Sequence, residues 1–483
     1  MKLKYLMPLA AMLLGSLGAF AQSGDNESVN GDGKVDMADN AAVINIMKDA
    51  GGTATPETNL KIKLLLIGSS HGMNTIAQLP WIAYKSGFDV EVGNVYIGSL
   101  SMQTLMGKIQ RNEYISFKVF KDGAWETKSR MKFHDIISYT DWNFISLQRS
   151  ASDDELWLTT QEQADEIQNK FTDINYGVAG ATPKYVSHTE ALQTLLDSIT
   201  AVATNHPEII FNTGFADPNE WRDPNFGQTT KILHTANMMK AEFGIDYYPT
   251  ATAIRNARNT YLRNLGVYQY HNLCYDSQHL DYGIGCWVAS MTLLEFVLRK
   301  LGCDVETLDK YGTQEELLTY ISLATPTNYT EPTDETMEVA RACAKAACDM
   351  VDVISDTLAN RYKWQVTYNL SNGITSSENR GYSANEAEYT TTLSGTITSV
   401  SITMGGTDIT STAYSDNIVN IGSVTGDVTI TANGDEDSIG TGINTIGTSL
   451  LNDAAVYTLD GRRVAQPTKS GLYIVNGRKV IIK

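Results

Sequence analysis

The sequence predicts an α/β fold, a parallel β-sheet between two helical layers, followed by small all-β modules at the C-terminal end. Three observations carry this. Between residues 60 and 360, short apolar runs of strand length alternate with longer runs of helical length, the pattern of strands joined by crossover helices. The run 64–67 is apolar without interruption, as a strand buried on both faces of a parallel sheet must be. From Trp364 to Ala432 the composition shifts to Thr, Ser, Val, Ile and Tyr, with period-two alternation and Gly-containing turns. That pattern reads as a small β-sandwich.

The elements follow in order. At 483 residues the chain has room for roughly two to four domains. Residues 1–21 read as a signal peptide: Lys2 and Lys4 open it, an apolar stretch follows, and Ala19-Phe20-Ala21 has the small-x-small form of a cleavage site. The competing reading is an uncleaved anchor helix. No cysteine follows the junction, so a lipid anchor there is not expected. Residues 51–59 form a Gly/Thr/Pro linker. Candidate strands are 63–67, 90–97, 144–147 and 208–212. Candidate helices are 75–85, 161–171, 191–204, 229–242, 250–265 and 283–301. In such sheets ligands bind at the carboxyl ends of the strands. The sandwich spans 364–432, a second linker 433–444, and a β-rich tail 445–483, where Asn476-Gly477 between β-rich runs signals a hairpin.

Charge and cysteine content narrow the function. The net charge is −18, from 55 acidic and 37 basic residues, which excludes a nucleic-acid partner and a polybasic membrane patch. The five cysteines, Cys274, Cys286, Cys303, Cys343 and Cys348, are too few and odd in number for a disulfide framework. Cys343 and Cys348 stand five apart on a predicted helix and point in different directions, so no bridge between them is expected. No CxxC or HxxxH supports a zinc site.

Near the N-terminus, Asn30, Asp32, Asp36 and Asp39 supply oxygen ligands at the spacing of a calcium loop, with Gly33 at its sharp turn. The segment resembles one half of a dockerin. Ser28 stands where that family has Asp, and the second loop is missing, so Ca²⁺ is a candidate ligand while cohesin docking is not expected. A polar Asn-Gly-Asp-Gly turn at a flexible N-terminus explains the same residues equally well. In the tail, residues 455–480 resemble the C-terminal sorting module of Bacteroidetes secreted proteins. That resemblance implies passage through an outer-membrane secretion machinery; the alternative is a terminal hairpin packed on the preceding module.

Three separated segments carry the chemistry. Gly68-Ser69-Ser70-His71 leaves the first strand and enters a helix, where backbone N–H groups favour negative charge. Asp276-Ser277-Gln278-His279 places a carboxylate three residues before an imidazole on one loop, the pairing a catalytic base requires. The strand 144–147 ends in a polar cluster, Gln148 to Asp153. Taken singly, each has a structural explanation: a turn serine, a surface or capping histidine, a turn-forming aspartate.

Together these segments resemble the SGNH/GDSL hydrolases over residues 61–359, within a branch with Gly-Asn-Ser-Phe near its N-terminus. The resemblance implies a three-layer, flavodoxin-like α/β/α domain and a serine esterase needing no cofactor for catalysis. Ser70 matches the nucleophile, and Asp276 and His279 match the Asp-x-x-His pair. Gly98 matches the glycine whose N–H joins that of Ser70 in the oxyanion hole. The family's oxyanion asparagine is absent; Gln148 is the nearest amide, and Ser152 the other candidate donor. His71, Trp221 and Arg222 are candidate substrate contacts, since aromatics stack on sugars and Arg pairs with carboxylates. The expected function is an exported esterase, in the periplasm, at the cell surface or outside a Gram-negative bacterium, removing acyl, chiefly acetyl, groups from carbohydrate. The alternative is a degenerate hydrolase domain that binds glycan without cleaving it.

Overall fold

The computed structural model describes residues 61–148 (except 99 and 123), 188–218, 227–303, 305 and 329–434 (except 372), with short strands between 443 and 482. The signal peptide, the calcium-loop residues Asn30, Asp32, Asp36 and Asp39, the helix 161–171, and the site candidates Ser152, Trp221 and Arg222 lie outside the described residues. The chain divides into two compact units, Met1–Ala359 and Asn360–Lys483.

The first unit is built on a seven-stranded sheet of order β4-β3-β2-β1-β5-β6-β7. Its strands are β1 (Lys61–Gly68), β2 (Asp89–Tyr96), β3 (Tyr114–Lys121), β4 (Ala124–Lys132), β5 (Phe144–Leu147), β6 (Glu208–Asn212) and β7 (Asp246–Tyr248). The five strands β2-β1-β5-β6-β7 are parallel. Counted among themselves they run 2-1-3-4-5, the doubly wound order whose switch point lies beside β1. The sheet is mixed rather than purely parallel, because β3 and β4 add an antiparallel hairpin at the β2 edge.

The helices are α1 (Ser70–Ile76), α2 (Leu79–Lys85), α3 (Met102–Gln110), α4 (Phe133–Ile137), α5 (His188–Thr200), α6 (Gly227–Phe243), α7 (Thr250–Arg258), α8 (Ile284–Lys300), α9 (Asp334–Asp349) and α10 (Asp356–Arg361). One face of the sheet (Leu65, Ile67, Val95, Phe117, Ile145, Phe211) forms a continuous core with α3, α4, α5 and α6. Helices α7, α8 and α9 pack together, and α8 also meets α1 and α2. Every residue of α8 from Ile284 to Leu298 is buried. A helix buried all round needs cover on all sides, which its neighbours provide, and a partner for its one buried charge, Glu295, which Arg299 provides.

Two predicted helices are corrected. The helix expected over 75–85 begins earlier, at Ser70, and breaks at Ala77-Gln78, with Pro80 in the first turn of α2. Proline is accepted there because its missing N–H has no intrahelical partner at that position. The helix expected over 250–265 ends at Arg258 and resumes as a 3₁₀ turn, Tyr261–Asn264, where the Thr260 hydroxyl accepts from Leu262 N–H at 3.2 Å. The five cysteines are unbridged, and no described helix is long and apolar enough to cross a membrane.

In the second unit a five-stranded and a four-stranded sheet enclose a core of Val366, Tyr389, Leu393, Ile402, Val419 and Ile430. The C-terminal part is all-β, as its composition predicts. Gly471–Val475 and Arg478–Ile482 pair antiparallel with Val475 opposite Arg478.

Candidate active site

The carboxyl end of β1 delivers Ser70 to the first position of α1. His279 Nε2 lies 2.8 Å from Ser70 Oγ, across 209 positions of chain. On its other side His279 Nδ1 meets Asp276 Oδ2 at 2.8 Å and Oδ1 at 3.0 Å. A carboxylate only accepts, so Nδ1 carries the proton and Nε2 is left to accept from the Ser70 hydroxyl. The structure thus brings Ser70, His279 and Asp276 into one hydrogen-bonded row.

The loop bearing Asp276 and His279 is locally determined. Cys274 and Leu280 form a bridge across it, and Tyr275 N–H donates to the His279 carbonyl at 3.1 Å. Asp276 Oδ1 also accepts the N–H groups of Gln278 at 2.8 Å and His279 at 2.7 Å, so one carboxylate shapes the turn and orients the ring. Burial pushes the Asp276 pKa up. The bond from the His279 ring and those from the Gln278 and His279 N–H groups more than offset this and hold it below the usual carboxylate range.

The same loop is pinned to α1. Asn74, one turn after Ser70, accepts from Leu280 N–H at 3.3 Å and donates to the Leu280 carbonyl at 3.4 Å and Cys286 Sγ at 3.3 Å. Gln78, one turn further, donates to the carbonyls of Tyr282 and Gly283. Ser70, Asn74 and Gln78 therefore meet the histidine loop at successive i+4 positions. Arg258, on α7, ties in a third segment. It donates to the carbonyls of Ala216 at 2.8 Å and Asn272 at 3.1 Å, and to Cys274 Sγ at 3.4 Å.

The candidate oxyanion donors converge from three neighbouring strand ends. Ser70 N–H opens a helix and has no intrahelical acceptor. Gly98 follows β2 by two residues, and Tyr96 is the register partner of Gly68. Gln148 closes β5 and is buried. Its Oε1 accepts from Ser69 N–H at 3.1 Å, which directs the amide Nε2 the other way, toward Gly214. A Cβ on Gly68 or on Gly72 would stand 2.6 Å from that Oε1, and one on Gly72 also 3.0 Å from Leu66 Cδ2. Two glycines thus make the space in which this carboxamide lies.

His71 faces the site, although a residue adjacent to a candidate nucleophile ordinarily points elsewhere. Its ring stacks on Phe215 at 4.2 Å and 20°, and meets the His279 ring at 6.0 Å and 89°. Phe215, Asn74, Arg258 and Tyr275 are the site-building residues that sequence reasoning passes over. A signal existed for Phe215, because Thr213-Gly214-Phe215 directly follows the carboxyl end of β6.

Against this geometry, comparison with known proteins is informative about family. Residues 63–307 match the model of a domain of unknown function, DUF4886. The chain belongs to the DUF4886 family. Among solved structures, a DUF4886 family protein from Bacteroides uniformis is 18% identical, with 62% of this chain and 98% of that chain covered and a TM-score of 0.43. A catalytic mutant of Axe2, an acetylxylan esterase from Geobacillus stearothermophilus, is 14% identical, with 51% and 98% covered and a TM-score of 0.29. No curated protein matches the chain. The DUF4886 match contains Ser70, Gln148, Asp276 and His279, and ends before Thr330 and α9. In this chain Thr330 nevertheless supports the histidine loop of the DUF4886 domain: its N–H and hydroxyl bond the buried Asp281 at 3.0 and 2.9 Å.

Two expected results follow for the DUF4886 domain. Asn74→Ala leaves the buried Leu280 N–H without its partner, and leaves the Leu280 carbonyl only the long contact from the Cys286 thiol at 3.8 Å. It is expected to lower stability by about 2–4 kcal/mol, read from the urea midpoint. Turnover should fall with it, since Leu280 adjoins His279. The second result concerns His71. Burial and then the neighbouring His279 ring lower its pKa from 6.5 to about 4. Between those values the unfolded chain binds a proton that the folded chain does not. The stability associated with His71 therefore declines as pH falls from 6.5 to about 4, and levels off below. Thermal midpoints across that window should fall less steeply for His71→Gln than for the wild type.

Proposed function

We propose that the chain is a serine esterase that hydrolyses acyl esters, with Ser70 as nucleophile, His279 as acid–base and Asp276 as its orienting carboxylate. The observation that carries this reading is the row Ser70 Oγ, His279 Nε2, His279 Nδ1, Asp276 Oδ2, with both contacts at 2.8 Å. Ser70 Oγ attacks the acyl carbonyl while Nε2 takes its proton, so the imidazolium forms against Asp276. The carbonyl oxygen becomes an oxyanion facing the N–H groups of Ser70 and Gly98 and the Gln148 amide. The bond to the leaving oxygen breaks as Nε2 returns the proton to it, releasing an alcohol and an acyl-Ser70. Water, deprotonated by the same imidazole, attacks the acyl carbon; the bond to Ser70 Oγ then breaks as Nε2 returns the proton to it, freeing the acid and Ser70.

The position of Gln148 supports its part in this scheme. Its oxygen is committed to Ser69 N–H, so the free end of the side chain is a donor, as an oxyanion requires. The carbohydrate side of the substrate, with acetyl as the acyl group, is supported by the resemblance to SGNH/GDSL hydrolases and by the expected signal peptide and the accessory all-β unit. The test is hydrolysis of p-nitrophenyl acetate beside p-nitrophenyl octanoate, then acetate release from acetylated oligosaccharides. The reading requires turnover of the short-chain ester. Glycan binding that survives His279→Ala, with no ester cleavage, would replace it with the non-catalytic alternative.

A further inference from the structure

We propose that Tyr275 is a positioning residue for His279, holding the imidazole by its face and favouring the imidazolium that forms during acyl transfer. The proposal rests on the serine esterase reading. The two residues are paired across the loop through Tyr275 N–H and the His279 carbonyl, one step inside the bridge between Cys274 and Leu280. Residues directly opposite in an antiparallel pair project to the same side. Their rings accordingly stack, with centroids 5.5 Å apart and planes 12° from parallel. Tyr275 in turn stacks on Tyr282 at 5.5 Å and 15°, and the Tyr282 carbonyl is held by Gln78 from the nucleophile side. The imidazole is thus fixed at Nδ1 by Asp276, at Nε2 by Ser70, and over its plane by an anchored aromatic ring.

The charges around the ring give that stacking a chemical consequence. Asp276, on the same loop, faces Nδ1. His71, from α1, meets the ring at right angles and is neutral above about pH 4. Arg258, from α7, bonds Cys274 on the same loop, and its charge is felt at His71. Burial first, then the nearby Tyr282 and Asp276, push the Tyr275 phenol well above its usual pKa, so it stays neutral. When Ser70 gives up its proton, a positive charge appears on a ring lying over an uncharged π-face, an arrangement that attracts cations.

The experiment compares Tyr275→Leu with Tyr275→Phe in the full chain. The Leu variant is expected to lose about fivefold in kcat on p-nitrophenyl acetate with KM nearly unchanged. The acid limb of its kcat/KM profile should move about half a unit to lower pH. The Phe variant, which keeps the ring, should recover most of the rate and the wild-type limb. Should the Leu chain not fold, Tyr275→Met serves in its place. An acid limb that stays put or moves to higher pH, or a Phe variant as impaired as Leu, overturns the proposal. If the wild type cleaves no ester, the esterase reading fails separately. The His279 ring, assigned with His279→Gln in histidine-labelled protein, is then observed directly through its Nδ1–H, which bonds Asp276. That proton should exchange faster in the Leu variant than in the wild type and the Phe variant, and unchanged exchange overturns the positioning role.

Discussion

Replacing Ser70 by Ala is expected to lower kcat/KM on an activated acetyl ester by about 10⁴-fold or more, a loss of at least about 5.5 kcal/mol of transition-state stabilisation. Among the described residues the hydroxyl pairs with His279 Nε2 at 2.8 Å, and alanine removes the attacking oxygen itself. Folding should be almost untouched. Ser70 begins its helix, where alanine is accepted, and the ties through Asn74 and Gln78 still hold the histidine loop when the Ser70 contact is gone. A large kinetic loss with an unchanged thermal midpoint is therefore the expected pair of results. A residual rate close to the wild type would remove Ser70 from the mechanism.

Asp276→Asn is expected to cost about 10⁴-fold in kcat at neutral pH, nearly as much as losing the nucleophile, although one oxygen becomes one nitrogen. The amide oxygen of Asn can still accept the N–H groups of Gln278 and His279, so the turn survives. Its NH₂ then faces Nδ1 and donates to it. The imidazole must place its proton on Nε2, the atom that has to take the proton of Ser70. The native carboxylate avoids this over a wide pH range, because its pKa lies below the usual one despite partial burial. Its contribution to stability is present above the ordinary carboxylate pKa and is lost only as pH falls through the lower folded value. Circular dichroism of the variant should match the wild type while the pH–rate profile collapses. Retained activity at neutral pH would show that Asp276 does not set the tautomer.

Much of this architecture is legible in the chain because burial writes itself into pattern. Strands β5 and β6 lie inside the sheet; β5 is buried throughout and β6 over Ile210–Asn212, and both coincide with the expected strands 144–147 and 208–212. The edge is harder to read. Strand β3 alternates buried and exposed residues, carries Lys118 and Lys121, and pairs with the strongly polar β4, so neither resembles a buried strand. Strand β7 has only three residues. The row Ser70, Asp276, His279 was legible because each residue stands in a short motif at a strand end or on one loop. What supports the row was not. Asn74 meets Leu280 across 206 positions, and Arg258 joins two loops through backbone carbonyls and a thiol, contacts for which no local pattern exists.

The most direct measurement is labelling of the intact protein with a fluorophosphonate, which reacts with activated serine hydroxyls, followed by mapping of the modified peptide. The account predicts one phosphonylated serine, Ser70, with the adduct abolished by His279→Ala. Labelling at another serine, or a Ser70 that stays unmodified in folded protein, would contradict it.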